Sequence, residues 1–162
     1  MSRKIILLFI LLTFLIGCTS NSKTASELYS TLDQNLSQKD LALLDSLESH
    51  VQKFNQLNEE LDMLLDEMKK DDELEAAIEM MQIANEEAMY IYNLIELDEQ
   101  PTNENLYELR SHVQASIEKY MEAMNMQLEG ISTGDPKKTD EAYEEMKIIN
   151  EELDKLYRSM EG

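Results

Sequence analysis

The 162-residue sequence predicts an all-α protein: an antiparallel up-down bundle of about four long helices, with a short N-terminal helix and coiled-coil-like packing. Three observations carry this. Only four glycines and two prolines occur, too few for the turns of a mixed fold. Leu, Glu, Met, Lys, Gln and Ala dominate, and these side chains lose little rotamer freedom in a helix. Apolar residues also recur at alternating intervals of three and four, the period of a helix with one buried seam.

The N-terminus differs from the rest. Arg3 and Lys4 precede an apolar run over 5–16, broken only by Thr13. That run suits a signal-peptide core and is short for a bilayer span. Gly17 and Cys18, the single cysteine, follow. One cysteine cannot form an internal disulfide.

The polar stretch "TSNSK" (19–23) leads to Thr24-Ala25-Ser26-Glu27, which has the pattern of a capping box. The helix it opens carries Leu28, Leu32 and Leu36 on one stripe. Ser37, with Asp40 reaching back, either starts a new helix or lies within a continuous one. Leu44, Leu47, Val51, Phe54, Asn58, Leu61, Leu65 and Met68 then form a heptad seam. Its polar member, Asn58, can fix register at a cost in stability. After "KKDDE" (69–73) the stripe resumes in a new phase at Leu74, Ile78, Met81, Ala84, Ala88, Ile91 and Ile95. A tight turn near 70–72 or one long bent helix both satisfy this shift. Pro101 stops the helix and Thr102 is the expected cap of the next. That helix carries Leu106, Leu109, Val113, Ile117, Tyr120, Met124 and Leu128, and is expected to end at Gly130. Asp135 as cap and Pro136 at the first helical position open the last helix. Its seam is Ala142, Met146, Ile149, Leu153, Leu156 and Met160.

The run Leu15-Ile16-Gly17-Cys18 resembles the lipobox of bacterial lipoproteins. The resemblance implies a signal peptide over 1–17, cleavage between Gly17 and Cys18, and diacylglyceryl transfer to the Cys18 sulfur. Stable anchoring needs more than one acyl chain, which this modification supplies. Residues 18–24 would be the lipidated cysteine and its tether, and 25–162 the helical domain. With Thr19 after the cysteine, the resemblance implies the outer membrane in a two-membrane host, and otherwise the outer face of the cell membrane. The helical region, most of all "ANEEAMYIYN" (84–93), resembles small all-helical lipoproteins of bacteria.

Thirty-four acidic residues against 14 basic ones set a formal charge of −20, and loss of Arg3 and Lys4 with the leader makes it −22. Phosphates would be repelled, so nucleic-acid binding is not expected. A basic membrane-binding patch is absent, which leaves attachment to the acyl chains. The charge favours cationic partners.

His50 and His112 sit at similar heights if their helices run parallel across the bundle, with Glu108 one turn before His112. These three are the candidate metal ligands. The Glu-x-x-His spacing of bundle di-iron sites is missing, since Leu47 and Leu109 occupy those positions. The ten methionines that follow the leader fit core filling better than Cu(I) binding. No basic residue lies between Lys70 and Arg110. Within that span Asp72, Glu75, Glu79 and Glu86 share one helical face, a candidate docking strip for a basic protein as well as an ordinary solvated face. Ser, His and Asp are present without a spacing that brings them together, and no nucleophile elbow or Gly-rich loop occurs. The reading is a non-enzymatic, lipid-anchored interaction or structural module with no cofactor beyond its acyl chains. A cation-binding bundle and a regulator or inhibitor of an envelope enzyme are the alternatives.

Overall fold

The computed structural model describes residues 23–32, 36–71 and 73–161, and the lipobox residues Gly17 and Cys18 lie outside them. The described chain forms five helices: α1 (Ala25–Ser30), α2 (Gln38–Asp71), α3 (Leu74–Leu97), α4 (Glu104–Thr133) and α5 (Pro136–Glu161). Helices α2 to α5 pack around a ring in chain order, and α5 closes it against α2. Short connections make ring neighbours antiparallel, so α2 and α4 run parallel across the diagonal. Helix α1 lies over the α4–α5 face.

The heptad residues build the core. Leu47, Val51, Phe54 and Leu61 from α2 meet Met81, Ala84, Ala88, Ile91 and Ile95 from α3. Leu106, Leu109, Val113, Ile117, Tyr120 and Met124 of α4 and Ile149, Leu153 and Leu156 of α5 complete it. At its centre Phe54 and Tyr120 meet edge to face, ring centroids 5.0 Å apart, the geometry that the ring quadrupoles favour. Asn58 is buried within the seam, as its heptad position predicts.

The helix ends follow the sequence in part. The Thr24–Glu27 capping box forms. Ser37 accepts the Asp40 N–H at 3.1 Å, so α2 starts afresh. Helix α2 ends at Asp71 and α3 begins at Leu74, a turn made without glycine or proline.

Four expectations are corrected. α1 stops at Ser30, so Leu32 and Leu36 lie beyond it. Asn103, not Thr102, caps α4 by accepting the Leu106 N–H, because Asp40 takes Thr102 instead. Leu74, expected in the seam, is exposed, being the first residue of its helix. Helix α4 runs past Gly130 to Thr133 and stops at Gly134, whose φ of 67° is open to glycine without strain. Gly130 is needed for another reason. A Cβ there would stand 2.6 Å from Thr139 Oγ1 and 2.9 Å from the Thr139 backbone nitrogen. Its bare Cα lets the first turn of α5 fold against α4.

Candidate functional site

The described polar groups gather in two regions. The first lies where the N-terminus of α2 meets the α3–α4 connection. The buried Asp40 carboxylate accepts the Thr102 N–H at 2.8 Å, the Thr102 hydroxyl at 2.5 Å and the Ser37 hydroxyl at 2.7 Å. These bonds, the Thr102 hydroxyl foremost, hold the Asp40 carboxyl down at about 2. Arg110 is also buried, and its guanidinium donates to the carbonyls of Ile95, Glu96 and Glu99. It thereby satisfies the open C-terminal end of α3, where a cation also suits the helix dipole. Lys39 reaches Glu99 at 2.8 Å on the surface and lowers its carboxyl.

Ser46, His50 and Asp98 also come together here, which their sequence positions did not suggest. Ser46 Oγ donates to Asp98 Oδ2 at 2.8 Å. Both Ser46 and Asp98 meet the same ring nitrogen, His50 Nε2, at 3.2 and 3.3 Å. A catalytic relay needs serine and carboxylate on opposite ring nitrogens. This set instead fastens the residue after α3 to α2.

The second region is a cleft of about 250 Å³ between α2, α4 and α5. Leu61, Leu65, Met146 and the Tyr120 ring give it apolar walls. Asn55, Asn58, Gln127 and Asn150 project into the same space, and Asn55 Nδ2, Asn58 Oδ1, Gln127 Oε1 and Asn150 Oδ1 are buried without a hydrogen-bond partner. Asn58 donates its Nδ2 to the Phe54 carbonyl at 2.9 Å, so its unmet group is the oxygen. Asp62 stands at the mouth, where lost hydration and then the charge of Asp66 raise its carboxyl. Burial, and then Asp62, push the Tyr120 phenol up as well.

The candidate metal ligands separate. His50 is held by Asp98, whereas His112 meets Glu152 Oε1 at 2.9 Å. Glu152 also accepts the Ala25 N–H at 3.2 Å, which pins α1 to α4 and α5. Glu108 and His112 share a shallow surface depression with Leu28 and Tyr107. Among the described residues no three His, Cys, Asp or Glu side chains converge as a ligand set. Of the acidic strip, Glu75, Glu79 and Glu86 are exposed on α3 and Asp72 lies outside the described residues. Ile83, Tyr90 and Leu97 are exposed on the same helix, Leu97 at 81%. At helical spacing they continue the face of Glu79 and Glu86.

Asn55, Gln127 and Asn150 were missed as site residues. Each flanks a core seam, and in one dimension such a residue looks like an ordinary solvated amide. The available signal was the polar series Asn55, Asn58 and Asp62, one helical face of α2 running into an apolar seam.

Searches against family models, curated proteins and solved structures find no match to this chain.

Proposed function

We propose that the protein is a lipid-anchored cell-envelope module that works by contact with a basic protein partner. The observation that carries the contact reading is the outer face of α3. There Glu79, Ile83, Glu86, Tyr90 and Leu97 line one exposed strip at spacings of four, three, four and seven. Large apolar groups set in line with carboxylates offer both burial and charge to a partner. With a formal charge of −20, a partner bearing lysine or arginine beside apolar residues is the complementary one.

The anchor reading rests on Leu15-Ile16-Gly17-Cys18. No described helix is long and apolar enough to cross a membrane. The six residue steps from Cys18 to Thr24 reach at most about 20 Å. A tether that short would keep the bundle at the membrane surface. The Glu152 bonds to Ala25 and His112 would pass any pull on the tether into α4 and α5.

The tests are separate. Cys18→Ala abolishes lipid labelling and releases the protein from the membrane fraction; unchanged mass and attachment would remove the anchor reading. For the contact reading, a photo-crosslinker at Tyr90 captures a basic protein in cells, whereas one at Tyr107 on α4 does not. Glu79→Lys with Glu86→Lys abolishes that capture. Equal capture from both positions, or capture indifferent to charge reversal, contradicts the strip.

A further inference from the structure

We propose that the cleft between α2, α4 and α5 binds a small organic cation with ammonium donors, the size of a linear diamine or triamine. This inference stands apart from the anchor and the α3 strip.

Its basis is the convergence of unmet hydrogen-bonding groups. Among the described residues seven buried side-chain polar atoms have no partner, and four of them belong to residues that line this one cleft. Buried polar atoms are nearly always paired, so such a cluster calls for an account. Asn58 is the sharpest case. It is 5% exposed on the cleft lining, and its bond to the Phe54 carbonyl leaves its oxygen as the unmet group. An unmet buried acceptor costs about 1–3 kcal/mol. A ligand that donates to it recovers that cost.

The chemistry of the lining selects the ligand. The Asn58 oxygen is an unmet acceptor beside the space, and the Asn55, Gln127 and Asn150 amides on its lining add hydrogen-bonding groups of both kinds. Glu59, Asp62, Glu151 and Asp154 surround it, with Lys147 the one cation among the lining residues. The field is therefore negative and excludes phosphates and carboxylates. Lost hydration is the main cause of the raised Asp62 carboxyl and Tyr120 phenol, and a bound cation would relieve the smaller share that the charges of Asp66 and Asp62 add.

The apolar walls decide between an organic cation and a metal ion. Leu61, Leu65, Met146 and the Tyr120 ring suit methylene groups and offer no hard ligands. The volume of about 250 Å³ lies just below the range for drug-sized ligands. A short alkyl chain carrying two or three ammonium groups fits all of these requirements.

The experiment titrates the full chain, purified in detergent, with putrescine and spermidine at physiological salt. Calorimetry is expected to show saturable one-to-one binding of at least one of them. In amide-resolved NMR of the unaltered chain, the side-chain NH₂ signals of Asn55, Asn58, Gln127 and Asn150 shift, while that of Asn105 does not. Asn58→Leu weakens binding at least tenfold, and Glu104→Gln, exposed at the far end of α4, leaves it unchanged. Should Asn58→Leu fail to fold, Asn150→Leu, at a half-buried position, carries the same expectation. No saturable binding at millimolar amine overturns the proposal. So does an equal loss in Glu104→Gln, or a matching response to Mg²⁺, because either makes the effect one of general surface charge.

Discussion

The two polar regions of the bundle are built on opposite plans. Where α2 begins and α3 ends, Asp40 accepts three hydrogen bonds and Arg110 donates to three carbonyls. Among the described buried side-chain atoms there, Arg110 Nε and His50 Nδ1 alone lack a partner. Farther along α2, the cleft amides keep four buried atoms unmet. Both regions interrupt an apolar seam, so both carry a desolvation cost. The first recovers it within the chain and joins secondary elements. The second leaves it open toward a space large enough for a ligand. A polar group inside a bundle is thus read by where its bonds go, not by its presence.

This contrast can be broken from either side. The largest effect is expected for Arg110→Ala. It strips three carbonyls of their charged donor and leaves a cavity, for a loss of about 3 kcal/mol in urea unfolding. Gly130→Ala comes next, at about 2 kcal/mol, since the new methyl meets Thr139 backbone as well as its hydroxyl. In the cleft the sign reverses. Asn58→Leu is expected to raise stability by about 1 kcal/mol without ligand, as an unmet acceptor is replaced by an apolar group.

Two smaller effects are read through pH. The Asp40 carboxyl is lower in the folded protein than its ordinary 3.8. Its contribution is therefore present above about pH 4 and lost as pH falls through about 2. Thermal melts of Asp40→Asn should show a flatter acid limb over that window. Asp62 has the opposite sign, because its folded carboxyl is raised. Ionising it costs stability, so Asp62→Asn should melt slightly higher at neutral pH, with the gain fading as pH falls into the carboxylate range. Solvent at the mouth screens this to a few tenths of a kcal/mol.

The sequence made the bundle legible and the cleft obscure, for one physical reason. A heptad is local, and its apolar residues declare their face by spacing alone; Leu47, Val51 and Phe54 are buried where that spacing puts them. Local caps were equally plain at Thr24 and Asp135. Thr102 was misread because its partner, Asp40, lies 62 residues away. Gly130 reads as a helix end because a glycine serves both for chain reversal and for close approach, and only Thr139 across the turn separates the two. The cleft needs three helices at once. Asn55, Gln127 and Asn150 meet only after α2, α4 and α5 have packed, and apart from the α2 series Asn55, Asn58 and Asp62 nothing within one helix distinguishes them from solvated amides.

The central claim, that one polar region holds the fold and the other awaits a ligand, is tested most directly by melting Arg110→Ala and Asn58→Leu side by side in ligand-free buffer. The account predicts shifts of opposite sign, with Arg110→Ala below the unaltered chain and Asn58→Leu above it. A loss of stability in Asn58→Leu comparable to that in Arg110→Ala would contradict it, because the cleft amides would then be structural bonds like those around Asp40.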